Sequence, residues 1–163
     1  RGGSVLSHVR IGSEGEAVYA PLVTPGTADL LVAFEPGEAA RALPYLNRSG
    51  IVVTARSTVQ PVTAALSGQP YDGEGVIAGI RAALAAQAPE ARLVVVDDKA
   101  VTQAVGTTRV LNMVLLAAAL GTGRFPLSIG DMKDAVEQCV KPQFVALNLA
   151  AIDEMTQQAA PLE

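Results

Sequence analysis

The sequence predicts an α/β protein: a three-layer α/β/α fold on a mixed, mostly parallel sheet, with an N-terminal hairpin and a helical C-terminal third. Three observations carry this. Leu30 to Phe34, Ile51 to Val53 and Leu93 to Val96 are continuous apolar runs, as expected of strands buried on both faces. Helical patterns separate these runs, which implies right-handed crossovers and a parallel core. Beyond Thr107 the apolar spacing is helical throughout.

In chain order, Val5, Ser7, Val9 and Ile11 alternate with Leu6, His8 and Arg10, the period of an extended strand. Gly12 to Gly15 is a turn signal, and Ala17 to Leu22 is a second extended run, so the pair reads as a hairpin. Leu30 to Phe34 ends at Glu35-Pro36, and proline suits the first turn of a helix because its missing N–H has no partner there anyway. Ala39, Ala40, Leu43 and Leu46 continue that helix until Asn47 to Gly50 stops it. Thr58 to Gly75 is rich in Pro, Gly and Ser and reads as a long excursion. Val76, Ile77, Ile80, Ala83 and Leu84 make an amphipathic helix. Leu93 to Val96, ending at Asp97-Asp98, reads as the central strand. Thr107 to Leu120 is nearly all apolar and predicts a buried helix, broken by Gly121 to Pro126. Ser128 with Asp131 resembles a capping box, with Asp in place of Glu. Met132, Ala135, Val136, Cys139 and Val140 form the core face of the next helix, and Phe144 to Met155 is the last.

With 163 residues, the chain suffices for one domain with its own core, and 1–163 reads as a single α/β domain. Half of the residues are hydrophobic and the mean hydropathy is +0.33, which calls for a well-buried sheet or a surface covered by a partner. The net charge of −4 argues against nucleic acid, which needs a basic face. The longest apolar stretch, Val110 to Leu120, falls short of the roughly 20 residues that cross a bilayer, so no membrane is expected. No apolar leader follows Arg1, and the single cysteine excludes a disulfide scaffold, so the expected location is the cytoplasm.

Metal ligation requires clustered donors, and the lone His8 and lone Cys139 stand far apart; no metal site is expected, and Cys139 reads as a core thiol. Neither GxxxxGK[ST] nor a strand–GxGxxG–helix unit occurs, and no serine sits in a GxSxG elbow. His8 and Arg10 share a strand face, with Arg1 nearby. The plain reading of His8 is a polar interface residue; the functional one is a face that holds a carboxylate, a phosphate or an acidic partner. Parallel sheets bind ligands at the carboxyl ends of their strands, which carry Glu35, Thr54 and Asp97. Capping explains each as readily. Asn112, polar in an apolar helix, must find partners there: a neighbouring loop or a ligand.

Arg1-Gly2-Gly3-Ser4-Val5-Leu6-Ser7-His8-Val9-Arg10 resembles the RGGxVxSHVR segment of the indolepyruvate oxidoreductase small subunit. That subunit is related to the gamma subunits of the pyruvate, ketoisovalerate and 2-oxoglutarate:ferredoxin oxidoreductases. Ala28 to Pro36 resembles the A-D-x-L-x-A-x-E-P strand end, and Asn112 to Leu116 with Ala118 resembles N-x-V-L-L-G-A, with Ala117 where Gly is common. The similarity runs from Arg1 to about Met155. The family opens with a strand and a GxGGQG turn leading into a helix, upstream of the RGG segment. This chain carries none of that, so an N-terminally shortened domain with one strand fewer is expected.

The resemblance implies a subunit inactive alone. Thiamine diphosphate and [4Fe-4S] clusters would reside on a large partner subunit, ferredoxin would act through the complex, and coenzyme A would be the co-substrate. No cofactor and no catalytic base fall to this chain; assembly, and the coenzyme A or substrate entrance, do. Which 2-oxoacid reacts stays open. Candidate ligand- or partner-binding residues are Arg1, Gly2, Gly3, Ser7, His8, Arg10, Glu35, Thr54 and Asn112. The isolated chain is expected to form a homodimer through its uncovered apolar surface. The alternatives are a stand-alone α/β small-molecule-binding module without redox activity and, disfavoured by the missing elbow, a hydrolase.

Overall fold

A computed structural model describes residues 5–12, 15–58 and 71–158. Three strands, β1 (Ala28–Ala33), β2 (Leu46–Ala55) and β3 (Arg92–Val96), alternate with helices α1 (Pro36–Ala42) and α2 (Gly73–Gln87). Four more helices follow: α3 (Asp98–Val105), α4 (Leu111–Gly121), α5 (Ile129–Cys139) and α6 (Pro142–Gln158). The strands form one sheet in the order β1-β2-β3, parallel at both junctions.

The two faces of the sheet follow from its period of two. Leu31, Ala33, Val52 and Leu93 pack with α1 and α2 residues such as Ala39, Ile80 and Leu84. Ile51, Val53, Ala55, Val94 and Val96 pack with Val101, Val114, Leu115 and Ile152 from the later helices. Both crossover helices lie on one face, as two crossovers of one hand stepping the same way across a sheet require. The small residues Ala117, Ala118 and Ala119 of α4 are buried, and α4 meets both the sheet and α6. Ile51, Val52 and Val53 retain at most 1% exposure, and burying each of them contributes about 1.5–3 kcal/mol.

The α/β class stands, and several local expectations are corrected. The predicted hairpin does not form: the described parts of residues 5–22 contain no strand, so the sheet is parallel rather than mixed. Side chains bridge the two legs in place of a ladder, with Arg10 Nη1 donating to the Ala20 carbonyl at 3.1 Å. Asn47 to Gly50 does not stop a helix. Pro44 lies in a short 3-10 turn over Leu43–Tyr45, and β2 starts directly after it. The register slips there, Ala28 facing Leu46 but Leu30 facing Ile51. Asn47 fills the irregularity, its Nδ2 donating to Asp29 Oδ1 at 2.7 Å and its Oδ1 accepting the Ser49 N–H at 2.9 Å.

The central strand is β2, not β3, because a strand covered by helices on both faces needs no neighbour on both edges. Of the predicted excursion, residues 59–70 lie outside the described residues, while Gly73 and Gly75 belong to the first turn of α2. The capping box is present as read, Ser128 and Asp131 bonding reciprocally. On the same helix Met132 and Val136 are buried, but Ala135 and Cys139 are exposed, so Cys139 is not a core thiol.

Candidate functional site at the carboxyl end of the sheet

The three strands deliver polar residues to one end of the sheet. Beyond β3, Asp97 caps α3 by accepting the Ala100 N–H at 3.2 Å, so its capping reading holds. Asp98 is buried, and its Oδ1 accepts the Ser57 N–H at 2.9 Å, tying the end of β3 to the chain leaving β2. Thr54, near the end of β2, is fully buried and donates to the Ala55 carbonyl at 3.1 Å. Arg56 pairs with Glu74 at 3.4 Å, both largely exposed, which contributes at most about 1 kcal/mol.

Glu35 behaves differently. It stands at the N-cap of α1 in extended conformation, yet its side chain makes no capping bond. It retains 8% exposure. Its Oε1 lies 3.5 Å from Arg41 Nη2, while Arg41 bonds primarily to Glu38. Glu35 Oε2 is buried without a partner. A second unpartnered buried atom, the Tyr71 hydroxyl, lies beside it across Gly37. A Cβ built on Gly37 would stand 2.5 Å from the Tyr71 hydroxyl and 3.2 Å from Glu35 Oε1. Gly37 is therefore needed for the phenol to approach this closely. Burial pushes the Tyr71 phenol up from its ordinary value, and the Glu35 charge adds to that. The Glu38 hydrogen bond holds the Arg41 guanidinium more firmly protonated. Glu35 and Glu38 thus share the Arg41 guanidinium.

The remaining predicted residues lie elsewhere. His8 Nδ1 accepts the Val23 N–H at 3.0 Å, and its ring meets Tyr45 edge-on at 5.4 Å. Tyr45 immediately precedes β2, so His8 sits at the amino end of the sheet, opposite Glu35. Ser7 and Arg10 are exposed on the same arm, and Arg1, Gly2 and Gly3 lie outside the described residues. The arm bares large apolar side chains: Val5 is 88% exposed, Val9 76%, Ile11 81% and Tyr19 93%. Asn112 corrects its reading. It is exposed on the first turn of α4, on the side where Leu116 is also 38% exposed, and needs no buried partner.

The structure therefore brings Glu35 together with Gly37, Arg41 and Tyr71, which sequence reasoning did not single out, and does not bring it to His8 or Asn112. Tyr71 gave no signal because it lies in a stretch without periodicity. Among the described residues no group of three or more His, Cys, Asp or Glu could hold a metal ion, and no helix is long and apolar enough to cross a membrane.

A parallel sheet covered on both faces, with its polar residues gathered at the carboxyl ends, defines an α/β protein of the class that takes ligands at that end. The sequence matches the family described as pyruvate ferredoxin/flavodoxin oxidoreductase over residues 1–158, and the chain belongs to that family. It is 30% identical over 153 residues to indolepyruvate oxidoreductase subunit IorB of Archaeoglobus fulgidus, covering 93% of this chain and 71% of that protein. The subunits of the same name from Pyrococcus horikoshii and Methanothermobacter thermautotrophicus are 31% and 32% identical, covering 94% and 93% of this chain and 72% of each relative. The chain is thus of the small-subunit type of the 2-oxoacid:ferredoxin oxidoreductases.

Proposed function

We propose that this chain is the cofactor-free subunit of a thiamine-diphosphate-dependent enzyme in the cytoplasm that converts indolepyruvate or a related 2-oxoacid to its acyl-coenzyme A. The observation that carries the reading is the similarity, over nearly the whole chain, to proteins named as indolepyruvate oxidoreductase subunits. Thiamine diphosphate on the large partner would supply decarboxylation chemistry, with iron–sulfur clusters there leading electrons to ferredoxin. In this chain His8 is engaged with Val23 and Tyr45 and Cys139 stands alone on the surface, which supports placing the clusters on the partner.

What this chain contributes is surface. The bare apolar side chains within residues 5–11 and 18–22 serve assembly, since exposed apolar patches mark interfaces. The polar cluster around Glu35 borders the coenzyme A or substrate entrance. In isolation the same arm joins two copies in a two-fold dimer. The test is co-purification with the large thiamine-dependent subunit, beside sedimentation of the chain alone. A stable complex that dissociates when Val9 and Ile11 are both replaced by Ser supports the reading. A monomeric chain that ignores the large subunit overturns it.

A further inference from the structure

We propose that the outer edge of β3 pairs with β3 of a second copy of this chain, antiparallel about a two-fold axis at Val94, so that Arg92 of each copy fills a cavity of the other. Among the described residues β3 has no neighbour on that edge. The Val96 carbonyl accepts the Arg56 N–H at 2.9 Å, so Arg92, Val94 and Val96 turn their backbone groups toward β2. Leu93 and Val95 turn theirs outward, because backbone groups alternate sides along an extended strand. An open edge is a template for another strand, and proteins blunt it with lysine, proline or a bulge. The sequence Arg92-Leu93-Val94-Val95-Val96 has none of these.

The outward residues set the register. With Val94 facing Val94 of the second copy, Leu93 stands opposite Val95 and every residue of β3 is paired. The two Leu93–Val95 pairs each exchange both backbone hydrogen bonds. Arg92 then lies opposite Val96 of the other copy, on the face where Ile51, Val94 and Val96 pack. That face holds a cavity of about 220 Å³, lined by Val94, Val96, Ala118, Met155, Asp97 and Gln158. It suits an arginine, with apolar walls for the stem and a carboxylate and an amide for the guanidinium. Arg92 and Asp97 are both exposed, and neither forms an ion pair among the described residues. The opposite face carries a second cavity of about 300 Å³, between Leu93 and α2 residues that include Leu84 and Ala85. Ala78, Ala82 and Ala85 are exposed and share one side of α2 by their spacing, so the α2 helices of two copies can close over the junction. Cavities on both faces of one edge strand are the shape that a further strand with its helices fills.

This surface is separate from the arm that carries Val9 and Ile11, so the test removes the arm contact first. The full chain with Val9→Ser and Ile11→Ser, sedimented at micromolar concentration, should still be a dimer. Adding Val95→Pro removes only an outward N–H, which an edge strand tolerates, and should give a folded monomer. Arg92→Glu should raise the dissociation constant about tenfold or more. The register is read by cross-linking in a Cys139→Ser background. Val94→Cys should form a disulfide between copies on mild oxidation, since residues of a non-hydrogen-bonded antiparallel pair stand about 4.5 Å apart at Cα. Val95→Cys, opposite Leu93, should not. A monomeric arm variant, a dimer that survives Val95→Pro, or equal cross-linking from the two positions would overturn the proposal. So would loss of the large-subunit complex on Val95→Pro with self-association unchanged, which would give the edge to a strand of that subunit.

Discussion

Replacing Gly37 with Ala should destabilise the protein, and the cause should be a single atom. The added Cβ would lie 2.5 Å from the Tyr71 hydroxyl oxygen, whereas the next ring carbon, Cζ, is at 3.5 Å, an ordinary contact. Overpacking of this kind costs about 1–3 kcal/mol. Against it, Ala in a helix is favoured over Gly by up to about 1 kcal/mol. The net expectation is a loss of about 1 kcal/mol, or roughly 2–4 °C in melting temperature for a chain of this size. Tyr71→Phe removes the clashing oxygen, whose one contact is with the Gly37 backbone N–H, so that variant should be near neutral. In the Tyr71→Phe background Gly37→Ala should then lose most of its cost, leaving only the tighter 3.2 Å approach to Glu35 Oε1. Urea denaturation of the four proteins gives the coupling, expected at about 1–3 kcal/mol. An equal loss from Gly37→Ala in both backgrounds would show that the phenol does not stand where it is placed.

Further expectations concern the surface. The hydrogen bonds from Ser128 hold the Asp131 carboxyl below its usual range. A depressed folded-state value means that this capping contribution is present above the ordinary carboxylate pKa and fades as pH falls through the lowered one. Asp131→Asn should flatten that part of the acid limb of stability, measured by thermal melts across acidic pH; an unchanged acid limb would contradict the capping role. Cys139 should react with a maleimide in the native protein at the rate of a small-molecule thiol, and protection until denaturant is added would return it to the core. Arg10→Ala removes one exposed bond to the Ala20 carbonyl and should lower stability by no more than about 1 kcal/mol while weakening association with the large subunit. A large fall in melting temperature with association intact would make Arg10 structural.

The strands and their crossover helices were legible because their signals are local. Leu30 to Phe34, Ile51 to Val53 and Leu93 to Val96 are apolar without interruption, and Pro36 and Ser128 mark helix starts by their own backbone chemistry. The hairpin failed for a physical reason. Alternation specifies a pleated pair only where one face has something to cover, and Val5, Val9 and Ile11 stand largely exposed among the described residues. Continuous hydrophobicity reports burial of two faces, not position in the sheet order, so β3 was mistaken for the centre. Periodicity placed Met132 and Val136 correctly but overran at Cys139, where the helix ends. It also could not give the rotation of α4, which turns Asn112 and Leu116 outward.

The site was half legible. Glu35 stood out as an acid at a strand end, but the contact that distinguishes it joins α1 to Tyr71 across the crossover, more than thirty residues away in sequence. Such a contact leaves no local pattern. It exists only because α1 and α2 are packed on the same face of the sheet.

On the proposed function, this chain completes a ferredoxin-linked oxidoreductase without performing its chemistry. The direct measurement is 2-oxoacid-dependent reduction of ferredoxin, with indolepyruvate and coenzyme A, by the large thiamine-dependent subunit alone, by this chain alone, and by the two combined. Turnover is expected only from the combination, at a rate that saturates at equimolar chain. Robust turnover by this chain alone, or a large subunit fully active without it, would refute the proposed role.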